Sequence, residues 1–299
     1  MSFKISSESL NGHAIGDAAS GQDRQPPAES APVLVDPSAN DHVRAMRSLS
    51  SPESRKAAQG FDPGGSVFEI VHDQQVKDAG GEKYHSANTG NGYVVGQDQS
   101  GCLIFTNKQL VENQDKATAI LVDEKGVKTL DVPLDTKHAS NKVISPDGRS
   151  VEADKLYIDP SVDGALLHVK SDSCKAVNLG SQKALEPGDR VTAWGVGTDG
   201  QVRKSGLTYV AGMTLGELKR NRAFNFDGLA QSNMQPQTPV QVYEGEIKLE
   251  NSGGPLVDAS GKVVGTAVAS NSKNDRGEIR HYTVATSARI PEELLKAYK

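Results

Sequence analysis

Ser252 is the residue in this chain best placed by its neighbours to do covalent chemistry. It stands in Leu249–Asp258, LENSGGPLVD, between a small polar residue and two glycines, with an apolar run behind. A serine hydroxyl becomes a nucleophile only when the backbone exposes it, a base takes its proton and nearby amides receive an oxyanion. The paired glycines allow the sharp bend and close backbone approach that such a serine needs. Leu256-Val257 and Val263-Val264-Gly265 read as a hairpin turning through Asp258–Lys262, so the serine sits on a loop entering a strand.

The elements that must carry this loop are short strands. Candidates are Ser66–Val71, Gly92–Gly96, Leu103–Thr106, Thr118–Val122, Lys142–Ser145, Ala165–Val169, Arg190–Gly195, Val240–Tyr243, Leu256–Val257, Val263–Val268 and His281–Ala285. Turn signals such as Pro146-Asp147-Gly148 and Glu186-Pro187-Gly188-Asp189 separate them. This spacing indicates an all-β barrel or sandwich. Pro291–Lys296 reads as a closing helix, with proline in its first turn and lysine in its last. Thr214–Arg222 reads as a further helical turn.

Composition narrows the function. The chain has 299 residues and a net charge of −5, with no basic block, which argues against a nucleic-acid surface. No apolar run approaches the length of a membrane span. The N-terminus lacks the apolar core of a Sec signal. Residues 1–64 hold 11 serines and 6 of the 14 prolines but only Phe3 and Phe61 as aromatics. Such a segment has little apolar surface to offset an ordering cost of roughly 1–2 kcal/mol per residue. It is expected to be a disordered leader with a short helix near Asp41–Ser48, serving as a linker, a docking arm or a non-Sec export signal. The expected setting is the cytoplasm, or export by a specialised route of the kind bacterial effectors use. Cys102 and Cys174 make no metal set; they fit two thiols in a reducing compartment, or one bridge. No metal or other cofactor is expected.

With the strands placed, the chain resembles the HtrA-like branch of the chymotrypsin-clan serine peptidases over residues 66–290. Gly90-Asn91-Gly92-Tyr93-Val94-Val95 with Gly101–Asn107 is similar to that family's GSGF…GILTN segment. Ser145–Arg149 and Asp159–Leu167 are similar to its S-D-G-R and D-P-x-x-D-L-A-L-L elements, and Leu179–Gly195 to its L-G…G-D-x-V-x-A-I-G stretch. The serine loop follows in the family's order. The resemblance implies a trypsin-like fold of two six-stranded antiparallel β-barrels, one over about 65–175 and the other over about 176–290, with a C-terminal helix at 291–298. No PDZ module is expected after Lys299.

By the same resemblance Ser252 takes the nucleophile position and Asp163 that of the carboxylate orienting the base. The base itself is missing: in Thr106-Asn107-Lys108-Gln109-Leu110, Gln109 stands where the family has histidine. A glutamine amide accepts no proton near neutral pH. Glu250 replaces a glycine whose amide, with those of Asn251 and Ser252, would form the oxyanion hole; its carboxylate opposes a developing oxyanion. Among the other candidate bases, His168 reads as a strand-face residue, His85 has no spacing that brings it to the serine, and strand alternation points Lys108 away from Gln109's face. Thr266-Ala267-Val268 match the strand to which an extended peptide adds in these peptidases. Glu244–Lys248 would line the first specificity pocket. The expected partner is a peptide or protein, bound by a pseudopeptidase; the competing expectation is a slow serine endopeptidase with an unrecognised base.

Overall fold

The computed structural model describes residues 61–298, except 78–82, 114–115, 124–125, 134, 160, 172–173, 181–184, 222, 225, 227–233, 249–250 and 276–277. The expected leader and its short helix thus fall almost wholly outside the described residues. No helix among those described is long and apolar enough to cross a membrane.

Two closed six-stranded barrels make up the fold. The first closes in the order β1 (Val67–Lys77), β2 (Lys83–Gln97), β3 (Cys102–Thr106), β8 (Gly164–Val169), β7 (Ser150–Asp159) and β6 (Asp135–Ile144). Between β3 and β6 the chain makes a one-turn helix, α1 (Lys108–Val111), and a separate hairpin of β4 (Lys116–Asp123) and β5 (Gly126–Pro133). The second barrel closes as β10 (Val202–Thr214), β11 (Pro239–Glu244), β14 (Glu278–Ser287), β13 (Val263–Asp275), β12 (Pro255–Asp258) and β9 (Arg190–Val196). Helix α2 (Leu215–Arg220) follows β10, and α3 (Arg289–Tyr298) closes the chain. All the ladders are antiparallel.

The apolar strand residues sort by barrel. Ile70, Val94, Ile104, Val143, Leu167 and Val169 fill barrel one. Val191, Leu207, Tyr243, Leu256 and Val264 form a core of barrel two. A further cluster joins the barrels: Val67, Tyr93, Phe105 and Leu166 from the first meet Val196, Val257 and Val263 from the second, capped by Ile290 and Leu294 of α3. Tyr93 Oη crosses the same boundary to Thr266 Oγ1 at 2.7 Å, and burial pushes its phenol well above the usual range. The helical turn expected near Thr214 is α2, fixed by a capping box between Thr214 and Glu217.

Sequence patterning missed β5, β7 and β10. In β7 charged residues interrupt the apolar positions, and β10 carries Arg203, Lys204 and two glycines. Both strands have exposed positions along one face, and neighbouring strands rather than intrinsic preference hold them. The cysteines, read as more in keeping with free thiols, are instead joined as Cys102–Cys174, tying β3 to the segment between the barrels.

Candidate active site

The serine loop is shaped by contacts that only glycine allows. Gly253 has φ 80°, and a Cβ there would stand 2.1 Å from the Asn91 carbonyl oxygen; at Gly254 it would stand 2.2 Å from that of Trp194. The loop can therefore press against β2 on one side and β9 on the other. The backbone bonds that fix it run to both barrels: Asn91 N–H donates to Ser252 O at 2.7 Å, and Gly253 N–H to Ala267 O at 2.8 Å. Asn91 is the joint of this region. Its Oδ1 accepts the Val196 N–H at 2.6 Å, and its carbonyl accepts the Thr106 hydroxyl at 2.6 Å.

The Ser252 hydroxyl is committed on both counts. It donates to the Val268 carbonyl at 3.0 Å and accepts from Asn107 Nδ2 at 3.2 Å. Asn107 Nδ2 also reaches Ala267 O at 2.8 Å. The Val268 carbonyl is available because β13 is bulged there: the register with β14 steps from Ala267↔Ala285 to Ala269↔Val284, so Val268 has no place in that ladder.

Asp163 lies in the turn between β7 and β8 and is only 6% exposed. Its Oδ1 accepts the backbone N–H of Gln109 at 3.0 Å, while Oδ2 is buried with no hydrogen-bond partner among the described residues. Burial pushes this carboxyl up to about 6, against the opposing pull of the Gln109 amide and the Lys108 charge. Asn107 is extended (φ −71°, ψ 137°) and turns the chain from β3 into α1. In that turn Lys108 and Leu110 face inward and the Gln109 side chain is exposed. Lys108 and Gln109 do face apart, through a helical turn rather than strand alternation. Lys108 Nζ pairs with Glu112 at 3.2 Å.

Among the described residues, no histidine hydrogen-bonds Ser252. His72 is fully buried in barrel one, with Nδ1 2.9 Å from Asn141 Oδ1. His168 lies on β8 beside Ser100 and Asp98, and His85 on β2 beside Asp73. His281 contacts Ser272 and Glu246, the latter from the segment expected to line the first specificity pocket. His138 is exposed on β6; His13 and His42 lie outside the described residues.

The expected oxyanion amides are only partly in view. Glu250 lies outside the described residues, and the Asn251 N–H is donated back to Lys248 O at 2.8 Å in a tight turn, so it is not free for an oxyanion. The Asn251 carboxamide is buried, and neither of its polar atoms has a hydrogen-bond partner among the described residues. In the strand expected to receive a peptide, the backbone of Thr266 and Ala267 is already bonded on both sides, to the β12 side and to β14. The Val268 carbonyl is held by the serine hydroxyl instead. No group of three or more His, Cys, Asp or Glu side chains that could hold a metal ion occurs among the described residues. Sequence reasoning quoted Asn91 and Asn107 within motifs but gave neither a role. The available signal was a polar residue at a strand end or between glycines, where the backbone geometry recruits its amide.

The trypsin-like peptidase domain family matches residues 90–265. A curated relative, "Putative serine protease HhoB" from Synechocystis sp., is 26% identical over 184 residues, 60% of this chain and 34% of that protein. Among solved structures, the fold is similar to two of the HtrA-type protease AlgW with a decapeptide, one of them a substituted form. Each has a TM-score of 0.51 and 17% identity, and they cover 86% and 81% of this chain. The chain spans about a third of the curated relative and about two thirds of the AlgW chains.

Proposed function

The chain belongs to the trypsin-like peptidase domain family, and we propose that it is a pseudopeptidase that binds extended peptide in the cleft between its barrels. The observation that carries this reading is the Ser252 hydroxyl proton, which is directed at the Val268 carbonyl and not at a base. In this reading Ser252 holds the nucleophile position, Asp163 that of the orienting carboxylate and Gln109 that of the base. The Gln109 side chain is turned to solvent, and Asp163 Oδ2, the oxygen that would hold a base, has no hydrogen-bond partner among the described residues. Losing the histidine from such a triad lowers kcat on the order of 10⁶-fold, leaving ~10³–10⁴ over water from the oxyanion hole and binding. Glu250 in place of the oxyanion-hole glycine acts in the same direction.

Peptide binding is carried over from the decapeptide complexes of AlgW. Here Thr266 and Ala267 are already paired on both sides, so a peptide would reach this strand at the Val268 carbonyl, which it would take from Ser252; peptide addition and release of the serine are then linked events. The second reading, slow acyl transfer on Ser252, is favoured by the glycine-shaped loop, which keeps the serine at the cleft. A fluorophosphonate probe and a casein digest, each run beside Ser252→Ala, separate the two. The expected result is no serine-dependent labelling or cleavage; either signal, lost in Ser252→Ala, makes the chain a peptidase.

A further inference from the structure

The mouth of barrel one holds a cavity of about 290 Å³. It opens where β3 begins, whereas Asn107 and the serine cleft lie where β3 ends. Four residue steps at about 3.4 Å each put these ends roughly 14 Å apart. The walls are apolar: Phe68, Ile104, Val143 and Val169, closed on one side by the Cys102–Cys174 disulfide. At the rim, Asp147 pairs with Arg149 Nη2 at 2.8 Å and accepts from the Ser145 hydroxyl. We propose that this cavity is a second ligand site, for a small neutral aromatic molecule that carries a single N–H or O–H donor.

Size, wall chemistry and rim each argue for that class. Ligand sites run from about 300 Å³ upward and occur in the mouths of β-barrels, so this cavity lies at the small end and suits a molecule of one or two rings. A phenyl ring and sulfur atoms line it, and rings make favourable contacts with both. The rim ion pair is locally neutral and gives a charged ligand little net attraction. The Asp147 carboxylate, held ionised down to about 2 by the Ser145 hydroxyl and by Arg149, remains an acceptor for one donor from the ligand. Burying such a ring leaves no unpaired polar group behind.

Indole is the probe. Titrated into the full chain and followed by ligand-observed NMR, it should bind at sub-millimolar concentration. Val151 lies on the cavity lining and is 38% exposed, so Val151→Phe fills the opening at little cost to the fold. That variant should bind indole at least tenfold more weakly, with its thermal midpoint unchanged. Because the disulfide is a wall, ligand and bridge are linked: saturating indole should slow dithiothreitol reduction of Cys102–Cys174 several-fold in the parent and not in Val151→Phe. No binding at millimolar indole overturns the proposal, as does equal affinity in Val151→Phe. So does binding of N-acetyltryptophanamide but not indole, which would make the cavity a peptide side-chain pocket.

Discussion

The two banks of the cleft are built to different standards. On the barrel-two bank the serine loop is stitched by backbone bonds to both barrels, and its two glycines fit where a single added carbon would collide with a carbonyl. On the barrel-one bank, Asp163 keeps the amide contact that holds its Oδ1, but its buried Oδ2 has no hydrogen-bond partner among the described residues. In the proposed reading the turn at Ser252 keeps its glycine-shaped bend, while the position of the base holds Gln109. Shape and chemistry have separated, because packing enforces the loop, whereas the base position has an exposed side chain that no packing constrains.

The sharpest way to break this contrast is to supply what the weaker bank lacks. On the proposed reading, in which Asp163 would orient the imidazole, Gln109→His with Glu250→Gly should raise fluorophosphonate labelling of Ser252 by on the order of 10³-fold or more. The gain requires the serine to leave Val268. A double variant that folds normally and gains nothing would show that the barrel-one bank is remodelled beyond these two positions.

A test of the stronger bank should show the next largest effect. Gly253→Ala introduces a Cβ at 2.1 Å from the Asn91 carbonyl and forces alanine to φ 80°. A loss of about 3 kcal/mol or more in urea denaturation is expected. A cost under about 1 kcal/mol would mean the loop yields easily, and its geometry would then say little about the cleft.

Acid and base should act on barrel one with opposite signs. The raised carboxyl of Asp163 contributes stability that is fully present below its unfolded value of about 4 and is lost as pH rises through about 6, on the order of 3 kcal/mol in all. His72 works in reverse. Burial holds its imidazole below the ordinary value, so its contribution is present above about 6.5 and is lost as pH falls through the depressed value. Asp163→Asn should flatten the loss between about pH 4 and 6, and His72→Gln should remove the loss as pH falls below about 6.5, both read from denaturation midpoints. An unchanged slope across the Asp163 window in Asp163→Asn would mean that the carboxyl is solvated.

What could be read from the sequence follows the same division. The strand-rich fold, the hairpin after Ser252 and the order of the motifs were legible because periodicity, turn residues and glycine pairs are local. So was the absence of histidine at position 109. The latch on Ser252 was not legible: it depends on a bulge that turns the Val268 carbonyl out of the β13–β14 ladder, and a one-residue register step leaves no mark in composition. Asn91 was equally hidden, because its three contacts reach residues 15, 105 and 161 positions away. The cysteine pair spans 72 residues, and its geometry is set by how β3 meets the segment between the barrels.

The smallest expected effect bears most directly on the latch. Ser252→Ala removes one donor and leaves the Val268 carbonyl without its partner in a partly buried site, so stability should fall by about 1 kcal/mol. A serine poised for catalysis behaves otherwise. Its hydroxyl is held for a reaction rather than for the fold, and replacing it is neutral or stabilising, as is common where an active site trades stability for function. The sign of the change in denaturation midpoint therefore distinguishes a hydroxyl used as a structural bond from one kept in readiness. Peptide binding should change in the complementary sense: with the hydroxyl gone, the Val268 carbonyl is free for an added strand. A bound peptide should then stabilise Ser252→Ala more than it stabilises the parent.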